Sequence, residues 1–506
     1  MFLEILAAVV MISLVIVVLL ALAKAMRDSG HYPPGPRPYP LIGNLPQLSG
    51  TESYKAMTKL AEEYGDIYSL TFPGGQKAVV INTGELAREA FTKRGDDFSG
   101  RPSTFIGDAI TRGSADIICA DFNPTMVALR RIVHSAMKIY GHELQRLEGT
   151  ICSEVDDVAK RFHEHGGQPV DPKNDIAVAV LNVICSLVYG QRYDIHDPEF
   201  GKIMDYNDKF VEIFASYTLL DQLPWLRFFP LKTVKLMNDS RNTRDEIINK
   251  KYEEHKEKFR VENANNNFEI QDLTDALLKA AFEENAAKVA KGLEPLTEDN
   301  IMMTMQDMFN AGIETSTTIM RWILLLMIRY PDVQQKVHKE LDDVIGSGRL
   351  PCLKDREKLP YLEAVTLEAM RFVSLVPLSL PHKATRDSTL GGYDIPKGTL
   401  LITNVWAIHH NAKDWVNPDQ FIPERFLDEN NQLIKHGLKN FIPFGAGRRL
   451  CIGKSLAKCE VFLTLSRVLH QFVFKCPPGA PLPTLDGNQG VVMHPKPYEM
   501  IIEERA

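Results

Sequence analysis

Apolar positions along the chain change their spacing several times, and each change predicts a different element. Ile5 to Ala23 is an apolar run with only Ser13 polar, close to the ~20 residues a bilayer-spanning helix needs. Pro33-Pro34-Gly35-Pro36-Arg37-Pro38 cannot be helical and predicts a stiff, extended spacer. From about 50 to 97 a short helix is mixed with two strand-like runs, Ile67 to Phe72 and Ala78 to Ile81, parted by Gly74-Gly75. From about 127 to 345 the spacing is helical, with breaks near Gly166-Gly167, Pro224 and Gly292. Thr297-Glu298-Asp299-Asn300 opens a long helix that reaches about Arg329, where Tyr330-Pro331 stops it. Beyond Pro381 come short strands and Gly/Pro turns, then a helix after Cys451. The expected class is mainly α with small β-sheets. The expected organisation is an anchor at 1–27, a proline-rich spacer at 28–49 and one large domain at 50–506.

The apolar N-terminus is too long for a typical signal-peptide core and lacks a small-x-small cleavage site, so it is expected to stay as an uncleaved anchor. Lys24, Arg27 and Arg37 follow it and Glu4 precedes it, which places the rest of the chain in the cytosol. The cysteines at 119, 152, 185, 352, 451, 459 and 476 are odd in number and scattered, so neither a disulfide framework nor a zinc site is indicated. A reducing compartment agrees with both. A net charge of −7 argues against a nucleic-acid binder.

Chemistry concentrates in Phe444-Gly445-Ala446-Gly447-Arg448-Arg449-Leu450-Cys451-Ile452-Gly453. Glycines at 445 and 447 allow close approach to a flat macrocycle, and Gly453 a tight turn into a helix at Lys454. The helix N-terminus favours Cys451 as a thiolate, the soft ligand haem iron takes. A lone cysteine near glycines is more often a small core residue. Ten positions fitting F-x-x-G-x-R-x-C-x-G favour the ligand. Within the long helix, Asp307, Asn310, Glu314 and Thr315 are polar with Gly312 among them, which an apolar helix seldom tolerates without a reason. Gly312 is expected to weaken the helix there, and Thr315 to bond its own backbone.

The cysteine loop resembles the haem-binding signature of the cytochrome P450 family, the haem-thiolate monooxygenases, and the resemblance extends over nearly the whole chain. It implies the P450 fold, haem b and Cys451 as the metal ligand, with Phe444, Gly453 and Ala311 also against the cofactor. Ala311-Gly312-Ile313-Glu314-Thr315 resembles the oxygen-activating motif, with Glu314 and Thr315 as the catalytic proton-delivering pair. Arg101, Arg130, His382 and Arg449 are implied propionate partners. Met126 stands where relatives usually carry Trp. Glu368 and Arg371, with Arg425 of Pro423-Glu424-Arg425-Phe426, are the implied buried triad. Arg448, Arg449, Lys454, Lys458, Arg130, Arg131 and Lys138 are expected to form a basic face for an NADPH-dependent diflavin reductase, with cytochrome b5 as a further partner. The implied location is the endoplasmic reticulum membrane, single-pass, with the catalytic domain cytoplasmic.

Within the family, Pro381-His382-Lys383-Ala384, Asn404 to Asn411, Pro418-Asp419-Gln420-Phe421 and Leu223-Pro224-Trp225-Leu226 look most like the animal steroid 17α-hydroxylase/17,20-lyase branch. Oxidation of aryl hydrocarbons, other xenobiotics or fatty acids is the alternative. A haem isomerase or dehydratase, or a non-catalytic haem protein, comes next. Ile213 falls where that branch has an asparagine that meets the steroid, and Asn310 replaces a usual glycine. With them, Phe105, Ile110, Ala311, Val376, Leu380, Val491 and Val492 are the implied pocket walls, and their apolar character implies a lipophilic substrate.

Overall fold

The structure, a computed structural model, describes residues 31–49, 52–142, 144–215, 220–221, 224–265, 267–289, 294–434 and 437–505. The expected anchor at 1–27 lies outside these residues. The main helices are α1 (Ser53–Tyr64), α2 (Pro124–His142), α3 (Leu144–Glu164), α4 (Lys173–Tyr189), α5 (Pro198–Ala215), α6 (Lys232–Ala264), α7 (Leu273–Val289), α8 (Glu298–Arg329), α9 (Pro331–Val344), α10 (Pro360–Val373) and α11 (Lys454–Gln471). The strands are β1 (Ile67–Thr71), β2 (Lys77–Ile81), β3 (His382–Lys383), β4 (Ser388–Leu390), β5 (Tyr393–Ile395), β6 (Leu400–Thr403), β7 (Phe472–Lys475), β8 (Gly487–Gln489), β9 (Met493–Pro495) and β10 (Ile501–Glu504).

The largest sheet runs β1-β2-β6-β3. Ile67 stands opposite Ile81 in the antiparallel β1–β2 pair, while β2 and β6 are parallel. The proline-rich stretch is extended, but it is laid along β1 instead of standing clear of the body. Ser69 donates its N–H to the Pro34 carbonyl at 2.7 Å, and Asn44 donates its own to Thr71 at 2.7 Å. Prolines lack an N–H, so this segment serves the sheet edge as an acceptor. Gly35 makes that approach feasible, since a Cβ there would lie 2.0 Å from the Ser69 carbonyl oxygen.

The long helix predicted from Thr297 is α8, the spine of the core. Thr297 accepts from the Asn300 N–H while the Asn300 side chain accepts from the Thr297 N–H, closing a capping box. Although α8 is long and apolar enough to cross a membrane, most of it is buried against α4, α7, α10 and α11, as a core helix is. The expected weakening at Gly312 does not occur. The helix runs unbroken through it, and the missing side chain serves packing: a Cβ there would meet Ile184 Cδ1 of α4 at 2.6 Å.

A buried ion network closes the opposite flank. The Glu368 carboxylate of α10 accepts from Arg371 Nε at 2.7 Å and Nη2 at 2.8 Å, from Arg425 Nε at 3.0 Å, and from the Ile422 N–H at 2.9 Å. Arg371 Nη1 reaches the His409 carbonyl at 2.8 Å, and Arg425 Nη1 the Val416 carbonyl at 2.9 Å. Glu368 and Arg371 are fully buried, so removing one partner strands charge in low dielectric.

Glu368→Ala should therefore lower stability by about 3–5 kcal/mol, read as a large fall in melting temperature and in yield of folded protein. A change within measurement error would mean the two guanidiniums find other partners. Gly312→Ala should cost about 1–3 kcal/mol by overpacking. Adding Ile184→Ala should recover part of that loss; strict additivity of the two losses would show that the contact does not matter.

Candidate active site

Cys451 lies in a loop that enters α11 through a short helical turn at Gly447–Arg449. Gly445 and Gly447 both hold positive φ, 71° and 67°. Their surroundings differ. A Cβ on Gly447 would strike the Phe91 carbonyl oxygen at 1.7 Å, whereas the space beside Gly445 is open. Gly453 has an ordinary φ of −82°, so the turn expected to require glycine there does not. The Cys451 N–H donates to the Phe444 carbonyl at 3.0 Å, and the sulfur receives the backbone N–H groups of Gly453 and Lys454 at the start of α11. Desolvation by the protein packed around it raises the thiol pKa and outweighs the pull of those donors, Arg130 and Lys454 toward the anion, although the cysteine keeps an accessible face. The thiolate expected from the helix terminus is thus not favoured by the protein groups alone; a metal ion at the sulfur would displace the proton.

One histidine ties this loop to the ion network. Ile442 donates its N–H to His409 Nε2 at 3.1 Å, and His409 Nδ1 faces Ser374 Oγ at 3.0 Å. Burial pushes the His409 pKa well down, so the ring is neutral, with Nε2 free to accept. Arg371 holds the same residue's carbonyl.

Arg101, Arg130, His382 and Arg449 come together from four parts of the chain. Arg449 donates to the carbonyls of Ser99, Ile117 and Ala120 at 2.9, 3.1 and 2.7 Å. Arg101 donates to Ile118, Leu380 and Pro381, and Arg130 to Leu450 at 2.6 Å. Burial first, then Arg101 and Arg130, depress the Arg449 pKa to about 9. His382, implied as a propionate partner, is not a cation: burial together with Arg101 and Arg449 pushes its pKa well down and leaves the ring neutral, with Nδ1 2.8 Å from the Phe98 carbonyl. Met126, in α2, is buried.

Between Ile301 and Ile328, α8 is buried at every residue except Ala311, Gly312, Glu314 and Thr315. An accessible stripe in mid-core marks a slot in the interior. Thr315 Oγ1 donates to the Ala311 carbonyl at 2.8 Å, the expected back-bond, without bending the helix. Glu314 accepts from Thr318 Oγ1 at 3.3 Å and lies 3.1 Å from His494 Nε2; burial raises its pKa. Arg130 senses both Cys451 and Asp307, so the cysteine loop and α8 are within electrostatic reach of a common group.

The implied substrate walls come from several elements. Asn310 donates through Nδ2 to the Tyr206 hydroxyl at 2.9 Å, a bridge to α5, and its buried Oδ1 has no partner among the described residues. Ile213 is fully buried in an apolar cluster with Ile106, Ile110, Leu220 and Met237. Val491 and Val492 precede β9, and Val376 follows α10; the Met493 N–H donates to Leu375 at 2.8 Å, which brings these segments together.

The basic face is less cationic than its sequence. Arg448 pairs with Asp96 and Arg131 with Glu284, each at 2.6 Å, and Arg449 is buried. Acids distant in sequence supply these pairs, and no segment-by-segment charge count reveals them. Sequence reasoning gave no role to His409, which it quoted only within the Asn404 to Asn411 segment, and missed His494, a single histidine without a motif. It missed Asp116 too, which repels the buried Asp307 of α8 and helps to drive its pKa far up.

Haem requires a soft axial ligand, cations for its propionates and a flat apolar slot. Cys451, the gathered arginines and the Ala311 stripe meet these needs, and an anion would relieve the repulsion that lowers Arg449. A family model described as Cytochrome P450 matches residues 33–502. Steroid 17-alpha-hydroxylase/17,20 lyase of Rana dybowskii is 40% identical over 469 residues, covering 92% of this chain and 89% of the relative. The Gallus gallus protein of that name is 38% identical over 463 residues, 91% of this chain and 90% of its own. A solved zebra fish cytochrome P450 with progesterone has a TM-score of 0.79 at 35% identity, covering 90% of this chain and 100% of that one. Slot, ligand set and relatives agree: the chain belongs to the cytochrome P450 family and is a haem-dependent monooxygenase.

Proposed function

We propose that the protein hydroxylates a steroid-like lipophile, with the 17α position favoured. The reading is carried by relatives named steroid 17-alpha-hydroxylase/17,20 lyase that align over nine-tenths of the chain, and is supported by a progesterone-bearing structure of the same fold. Electrons come from NADPH through a diflavin reductase, with cytochrome b5 as a second donor. Residues 1–27 anchor the protein in the endoplasmic reticulum membrane as a single pass, and the domain at 50–506 faces the cytosol behind the 28–49 segment.

Haem b, ligated by Cys451, supplies dioxygen activation when bound, and thiolate donation favours O–O cleavage. Arg101, Arg130 and Arg449 hold its propionates by charge-assisted contacts, and His382 gives a neutral polar neighbour. Phe444 and Ala311 would lie against the bound cofactor, and Gly453 caps the start of α11 after Cys451. Glu314, whose proton is held more tightly through burial, stores the proton. Thr315, next along α8, presents its hydroxyl on the same accessible stripe. Glu368, Arg371 and Arg425 keep the cysteine loop in place through His409. Ile213, Asn310, Val376, Val491 and Val492 shape and orient the substrate.

Progestogens added to the purified holoenzyme should shift the Soret band, with a 17α-hydroxylated product and matched consumption of dioxygen and NADPH. A response to planar aromatics or fatty acids alone would transfer the reading to those substrates, and product without oxygen uptake would mark an isomerase or dehydratase. Thr315→Ala should cut product at least ~10-fold and raise the hydrogen peroxide released per NADPH. An unchanged peroxide-to-product ratio would remove Thr315 from the proton path.

A further inference from the structure

Among the described residues, one side chain from outside its own helix reaches the Glu314 carboxylate. His494 sits on β9 with Nε2 at 3.1 Å from Glu314 Oε1, and its Nδ1 lies 3.4 Å from Thr318 Oγ1. Thr318 is one helical turn beyond Glu314, and its hydroxyl lies 3.3 Å from the same carboxylate oxygen. The three groups form a closed triangle between α8 and β9.

β9 is a firm base for this contact. Trp322 of α8 donates its indole N–H to the Met493 carbonyl at 2.7 Å, and the Met493 N–H is bound by Leu375 at 2.8 Å. On the strand itself His494 stands opposite Asn488 of β8. These contacts fix the backbone that carries the ring. The charged groups that reach the triangle are Lys173 on α4, Asp208 on α5 and Arg321 on α8, the last 3.5 Å from Asp171.

Resting on the proton-storing role given above to Glu314, we propose that His494 is a positioning residue for that acid, donating its Nε2–H to the carboxylate and fixing its rotamer while transferring no proton itself. Burial, then Arg321 and Lys173, hold the His494 pKa down to about 4, so at neutral pH the ring is uncharged and carries one N–H. An ionised carboxylate only accepts, so the ring hydrogen that faces Glu314 belongs on Nε2; the single Thr318 hydroxyl hydrogen serves Glu314 or Nδ1, not both at once. The consequence concerns the acid. Burial raises the affinity of Glu314 for its proton, and a donor to the ionised form lowers it again. An acid balanced between these terms can both release and regain a proton, as a general acid must.

The test uses the holoenzyme with His494→Leu, His494→Gln and Glu314→Gln. The infrared band of the protonated carboxyl that vanishes in Glu314→Gln is followed against pH, together with the peroxide-to-product ratio. Leucine at 494 removes the donor and should move the carboxyl titration up by about one unit, with a several-fold larger share of peroxide. Glutamine keeps an N–H donor and should restore most of both, which a role in packing alone would not produce. A carboxyl titration identical in His494→Leu and the parent, at equal melting temperature, overturns the proposal. A titration that moves while Glu314→Gln itself leaves the peroxide share unchanged supports the His494 contact and instead defeats the proton-storing role of Glu314.

Discussion

One buried carboxylate, Glu368, sets the frame of the site. It neutralises two guanidiniums that arrive from different segments and cannot be left unpaired in a dry interior. Arg371 then holds the His409 carbonyl, and the His409 ring takes the Ile442 N–H just ahead of the cysteine loop. The sulfur of Cys451 is thus positioned by charges that never touch it. Each link uses a different atom of the same few residues, so the chain of contacts has little freedom to shift.

The site combines opposing electrostatic demands. Arginines are drawn together where burial and mutual repulsion both work against them, and carbonyls of the Ser99 to Ala120 and Leu380 to Pro381 segments hold them in place. Around Cys451 two backbone N–H groups favour the anion while burial opposes it. Such a site is balanced for an anionic, metal-bearing group and not for the protein alone. On α8 the same logic holds, with Glu314 set between burial, which raises its pKa, and the Thr318 hydroxyl, which lowers it.

Much of the fold was legible in the spacing of apolar positions. The capped helix from Thr297, its stop at Tyr330-Pro331 and the strand pair around Gly74-Gly75 are local events, decided within a few residues by capping, proline sterics and turn chemistry. The cysteine loop was legible as a pattern of residue types at short separation, whereas the acid–threonine pair and the ionic triad were implied by the family resemblance, since Arg425 is distant in sequence from Glu368 and Arg371. Gly312 was misread for a physical reason: a glycine inside a helix weakens it in isolation, but here Ile184 of α4 presses on it and the helix stays whole.

By itself, then, the sequence determined which segments become helices and strands and which residues have the chemistry to hold a haem. Tertiary structure alone decided which of them meet and in what charge state. It made His382 neutral, paired Arg448 and Arg131 with distant acids, bound Asn310 to Tyr206 and set His494 against Glu314. Protonation and pairing depend on burial and on neighbours hundreds of residues away, and those are properties of packing that no local pattern contains.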